Sequence, residues 1–133
     1  MIAPVLFPDV ELVFTTYLRT ALTGRPESYA SGVSVGRIAP PVMPARLVTI
    51  RRDGGGQLDQ VRENARLTVN VWHETHQGCV DLARLVRALL WASPNGAPIL
   101  RVELNAGPSV VPEDNGKPHI TMTFDAWVRG EDI

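Results

Sequence analysis

In the stretch ARLTVNVWHE, Leu67, Val69 and Val71 alternate with Thr68, Asn70 and Trp72, the period of two that sends successive side chains to opposite faces of a strand. The alternation returns in PHITMTFDAWVRG, where Ile120, Met122, Phe124 and Ala126 take one side and Thr121, Thr123 and Asp125 the other. ARLVTIRRD and PILRVELN, rich in apolar and β-branched residues, read as two more strands, and GVSVGRI as a further short one. Two other segments have helical spacing. Val10, Val13, Phe14, Tyr17, Leu18 and Leu22 follow Asp9, a natural N-cap, and Gly24 with Pro26 closes that helix. A second helix is predicted from about Thr75 to Trp91. Cys79, Leu82, Ala83, Val86, Leu89 and Leu90 form its apolar stripe, Asp81, Arg84 and Arg87 lie away from it, and SPNG ends it.

Between these elements, residues 25–45 carry Pro26, Pro40, Pro41 and Pro44 and read mostly as loop. DGGGQLDQVREN, with three consecutive glycines, is expected to be a long mobile connection between two antiparallel strands. AGPSVVPEDNGK is expected to be a turn-rich connection before the last strand. The order predicts an α+β fold: a largely antiparallel sheet of four to five strands with two main helices packed on one face, in a single domain spanning residues 1–133. At 133 residues such a chain buries about two-thirds of its unfolded surface and needs neither disulfide nor metal to fold.

Composition narrows the function classes. The net charge is −1 and the pI about 6.3, with no run of basic residues, which argues against general nucleic-acid binding. Lys117 is the only lysine and Cys79 the only cysteine, so an internal disulfide and a thiolate-rich zinc site are both excluded. The opening MIAPVLFPDVELV lacks the basic and apolar regions of a secretion signal, and no segment reaches the ~20 apolar residues of a membrane span. The expectation is a protein made in a cytoplasm and kept there until it meets its partner, with no membrane association.

Candidate chemistry is sparse. His73, His76 and Cys79 stand three residues apart, and imidazole and thiolate suit zinc. Yet Cys79 belongs to the apolar stripe, HETH lacks the HExxH spacing, and no fourth ligand is evident, so the favoured reading is Thr75 as a helix cap and Cys79 as a small core residue. RRDGGG could form an anion nest, but it neither opens a helix nor ends in GK[ST], and a hairpin tip is favoured. Glu113 and Asp114 read as a solvated turn. Trp72, Trp91 and Trp127 follow strand or helix periodicity and read as core or subunit interface. No GxSxG elbow or other catalytic constellation is present, and neither a cofactor nor a metal is expected.

The succession FPDVELVFTTYLRTAL, RLVTIRRDGGG, ENARLTVNVWHETHQGCVDLARLVRALL and NAGPSVVPEDNGKPHITMTFDAWVRG resembles the tail terminator, or tail completion, proteins of long-tailed bacteriophages. The resemblance covers most of the chain and is carried chiefly by the central block, a strand ending in V-x-V-W, a threonine, and the LARLVRALL helix. It implies a small non-enzymatic α/β domain of the virion that forms a six-membered ring. The ring would cap the head-proximal end of the tail tube, stop tube elongation and present a docking surface to the head-closure or connector protein. Viral DNA would pass through its channel without specific binding, a role that a near-neutral charge suits.

A closed ring requires two different complementary patches per subunit. Mobile loops that order on contact with the tail tube would make capping conditional on a finished tube, and the first candidate for such a contact is the segment from Asp53 to Asn64 with the residues just before it: Arg51, Arg52, Asp53, Gln57, Asp59 and Arg62, whose mixed signs suit a protein partner. The second is the 107–117 loop. Two other readings stay open: another neck subunit, such as a head-closure or adaptor protein, and a small-ligand-binding module using the aromatic residues with His73, His76 or His119.

Overall fold

The computed structural model describes residues 3–133, so the reading of Met1 and Ile2 lies outside the described residues. After a two-residue strand β1 (Val5–Leu6), helix α1 spans Val10–Thr23, with the Asp9 carboxylate accepting from Leu12 N–H. Val10, Phe14, Leu18 and Leu22, one per turn, are its buried stripe. A 3-10 turn at Ser28–Ala30 and a short strand β2 (Ser34–Gly36) follow. The long hairpin β3 (Leu47–Gln57) and β4 (Arg62–Trp72) leads into α2 (His76–Trp91), capped by the Thr75 hydroxyl, which accepts from Gly78 N–H. β5 (Ile99–Val110), β6 (His119–Arg129) and β7 (Glu131–Asp132) complete the order.

The main sheet runs β2-β3-β4-β6-β5, and β1 pairs with β7 in a separate two-stranded ribbon. All pairings are antiparallel except β2 with β3, which is parallel because the chain crosses over between them. β4 and β6 pair without a slip from Arg62↔Arg129 to Trp72↔His119. Alternation then puts Ala65, Leu67, Val69 and Val71 of β4 beside Ile120, Met122, Phe124, Ala126 and Val128 of β6 on one buried face. α1 and α2 close that face, joined by the Tyr17 hydroxyl, which donates to Leu89 O at 2.7 Å. Each fully buried large aliphatic contributes on the order of 1.5–3 kcal/mol here.

The α+β expectation therefore holds, as do both helices and their caps. Two connections do not. The glycine triplet is not a mobile loop, because β3 runs through it to Gln57 and only residues 58–61 form the turn. The extra residue is absorbed by a bulge between Arg52 and Gly55, where Gly54 and Gly55 take φ of 121° and 107°. Gly55 has a second reason to be glycine: a Cβ there would lie 2.0 Å from Asn64 O. Likewise AGPSVVPEDNGK is half strand, since β5 reaches Val110 through two register shifts around Gly107. Leu89, expected on the buried stripe, is only half-buried.

Replacing Gly55 by alanine is expected to destabilise the fold by more than the about 1–3 kcal/mol of backbone strain alone, because strand β4 must also retreat. Gly54→Ala, where a Cβ meets open space, should lose only the strain. Urea unfolding of the two variants checks this; equal losses would show that the close approach at Gly55 is unimportant.

Candidate functional site

The six sequence-level interface candidates do not form one surface. Arg51 and Asp53 alternate with Arg52 along β3, so they lie on the sheet face away from the helices, 3.1 Å apart as an ion pair. Thr68 of β4 donates its hydroxyl to Asp53 on the same face. Arg52 points to the helix side. Its two terminal nitrogens grip the Glu63 carboxylate at 3.1 Å each, Nε donates to Gly54 O, and its backbone N–H donates to the Glu11 carboxylate of α1. With the Glu63 side chain only 10% exposed, this fork is an internal clamp at the bulge.

Asp59 and Arg62 build the hairpin turn. The Asp59 carboxylate accepts from Arg62 Nε and from the backbone N–H groups of Val61 and Arg62. The Arg62 guanidinium, with those N–H groups, holds the Asp59 carboxyl below the usual carboxylate range. Gln57 donates to Asp59 O across the same turn. What these residues leave outward is an ordered hairpin tip with Leu58 half-exposed.

The 107–117 region is likewise anchored. Glu113 accepts from the Trp72 indole N–H at 3.1 Å, a contact that lowers its carboxyl from the usual range, so it is no freely solvated turn acid. His119 stacks on Trp72 with ring centroids 4.3 Å apart and shares a 2.7 Å hydrogen bond with Asn70 Oδ1. Its Nδ1 lies 2.8 Å from Glu113 Oε1 but outside hydrogen-bond geometry. Lys117 donates to Ala45 O, tying this loop to the proline-rich segment.

His73, His76 and Cys79 are dispersed. His73 is 4% exposed with Nε2 3.3 Å from Tyr29 O, His76 is exposed, and the Cys79 thiol donates to Val71 O in the core, where burial pushes it up to about 11. Among the described residues no three histidine, cysteine or acidic side chains gather as a metal site. The His73 ring fills the space beside Gly78, where a Cβ would lie 2.3 Å from Nδ1, so this glycine admits the histidine beneath the start of α2.

Polar pairs cover the rest of the open sheet face. Arg66 reaches Asp125 at 3.4 Å, Asn105 donates to Asp125, and Arg101 pairs with Glu103 while lying 5.2 Å over the Trp127 ring. Arg51, Arg66 and Arg101 thus each meet an acid on this face, while Arg129 forms no ion pair among the described residues. The sharper surface feature is one that the sequence reading passed over: a groove of about 740 Å³ between α2 and β5, lined by Arg84, Arg87, Trp91, Val102, Leu104 and Phe124. Trp91 is 67% exposed and so is not core. Its signal was readable, since residues 84, 87, 88 and 91 share a helical face outside the apolar stripe.

The fold class these elements define is a mixed five-stranded sheet with two helices on one face and a polar face opposite. It is similar to a chain in a solved structure described as the virion of a native gene transfer agent particle. The TM-score is 0.57 at 14% identity, over 87% of this chain and 94% of that chain, a likeness of fold. No protein-family model matches the chain, and no curated protein sequence does. No helix of the described residues is long and apolar enough to cross a membrane.

Two predictions follow the buried polar groups. Arg52→Ala leaves the Glu63 carboxylate without its fork, and the isolated chain is expected to lose about 1–3 kcal/mol of stability, with Arg52→Lys intermediate. Unchanged unfolding curves would return Arg52 to the pool of surface contacts. His73 is held below the ordinary histidine value by burial and then by Arg46, so the unfolded chain binds the proton more readily. Its contribution is full above the ordinary histidine value and is lost as pH falls through and below it. Urea midpoints should drop from pH 7 to pH 5 more steeply in the wild type than in His73→Gln; parallel slopes would refute the assignment.

Proposed function

We propose that the protein is a structural component of a phage-type particle and, within it, the terminator that caps the head-proximal end of the tail tube as a ring. The observation that carries this reading is the fold likeness to a chain of a gene transfer agent virion, which spans nearly the whole of both chains. The motif order described above points the same way. In this role the subunit is a rigid block that assembles with copies of itself, stops tube growth and offers the connector a surface, with no reaction to catalyse.

The physical features suit such a block. The tight hairpin at residues 58–61 and the anchored 111–118 loop stand at opposite ends of the β4–β6 ladder, since β4 starts at Arg62 and ends at Trp72 opposite His119. The two could therefore serve different neighbours along a tail axis, and the tip with Leu58, Asp59 and Arg62 remains the first candidate for the tube. On the open sheet face Arg51, Arg66 and Arg101 are paired with acids, which limits the net field toward DNA passing nearby. A head-closure or adaptor ring is the second reading, favoured by the same fold likeness and separated from the first by which end it binds.

Light scattering of the purified chain over a wide concentration range, followed by electron microscopy with isolated tail tubes, tests the proposal. A native mass of about six chains and decoration of one tube end are expected. A monomer at every concentration that leaves tube ends bare would overturn it, and a ring that binds portal-side components but not tubes would transfer it to the second reading.

A further inference from the structure

Two patches on this chain are each apolar and charged, with opposite signs. The first is the groove between α2 and β5. Arg84 stands 75% exposed beside it and lies 3.5 Å from Asp81, one turn back on the same helix. Arg87 has no ion pair among the described residues, and Glu103 in the lining is already engaged by Arg101. Between these charges lie the exposed Trp91 ring and the half-buried Leu104.

The second patch is the ribbon of β1 and β7. Glu131 and Asp132 are both exposed, pair through the backbone with Leu6 and Val5, and form no ion pair among the described residues. Leu6 is 56% and Ile133 72% exposed beside them. Arg129, the nearest cation in sequence, makes no ion pair with either acid.

We propose that the acidic, apolar β1–β7 ribbon of one copy seats in the arginine-rimmed groove between α2 and β5 of the next copy. This inference rests on the ring reading above and names the contact that closes the ring. The charges are complementary: Arg87, Glu131 and Asp132 form no ion pair among the described residues, whereas Arg51, Arg52, Arg66 and Arg101 of the sheet each have an acid at hand. The two patches are different, so the contact is head-to-tail and repeats from subunit to subunit until rotation closes it. An isolated surface ion pair adds little, so burial of Trp91 against Leu6 and Ile133 supplies the affinity while the arginines set the register.

Charge reversal on the full chain tests this, with native mass read by light scattering and folding checked by circular dichroism. Arg84→Glu with Arg87→Glu, or Glu131→Arg with Asp132→Arg, should each lower the mass from about six chains to about one at a concentration where the wild type is assembled. All four changes in one chain should restore the ring, and Trp91→Ala should weaken assembly by roughly tenfold or more. A ring that survives both reversals, or one that the fourfold variant does not restore, would overturn this contact and leave the ring reading standing. A ring kept by Arg84→Glu with Arg87→Glu but no longer bound to tube ends would assign the groove to the tube and also overturn it. A wild-type monomer under every condition would remove the ring reading and this contact together.

Discussion

The unbroken ladder between β4 and β6 is the constraint from which the remaining structure hangs. Eleven residue pairs in one register leave no freedom in which side chains face the helices, because a slip of one residue would exchange every apolar position for a polar one. With Leu67, Val69 and Val71 beside Met122 and Phe124, this face carries the main core and both amphipathic helices lie on it, while Leu47, Trp72 and His119 are buried on the opposite face at one end of the ladder. The irregularities are displaced outward, to the β3 bulge and to the β5 register shifts, where pairing can bend without disturbing the central pair.

The outer strands carry the consequences. On β3, the bulge at Arg52 and Gly55 would leave a carboxylate and a backbone N–H facing the helix layer. The Arg52 fork on Glu63 and the Glu11 carboxylate on Arg52 N–H satisfy both. On β5, the outer edge has no partner strand among the described residues, and its bulged course around Gly107 gives it the broken outline that discourages indiscriminate strand pairing. The groove beside it is shaped by Trp91 and two arginines rather than by an open ladder.

The distribution of polar groups divides between pairs closed within the sheet and side chains left open at the α2 surface and the β1–β7 ribbon. The arginines Arg51, Arg52, Arg66 and Arg101 on the sheet are engaged by nearby acids, and the tryptophans at positions 72 and 127 are covered by His119 and Arg101. Those on α2 project from the chain, as does the ribbon that carries Glu131 and Asp132. The fold likeness is to a chain of a virion particle, and under the ring proposal the charge pattern is the physical means by which one copy would recognise the next.

The sequence by itself determined the elements whose signal is local and periodic. Asp9 and Thr75 announced their helices because a cap is made within three residues, and the alternation in β4 and β6 was visible because each strand has one buried face. It could not disclose that the glycine triplet is strand. Three glycines carry no periodicity, and the reason for Gly55 is the backbone of Asn64 across the hairpin, nine residues away. Nor could it separate Arg51 from Arg52, adjacent in sequence yet on opposite faces, one paired in the open and one clamped inside. Trp91 and its arginines share a helical face outside the apolar stripe, and only the position of β5 showed that this face borders a groove. Tertiary structure decided these matters because each depends on what lies across a gap between elements, and such a neighbour leaves no trace in the order of residues along the chain.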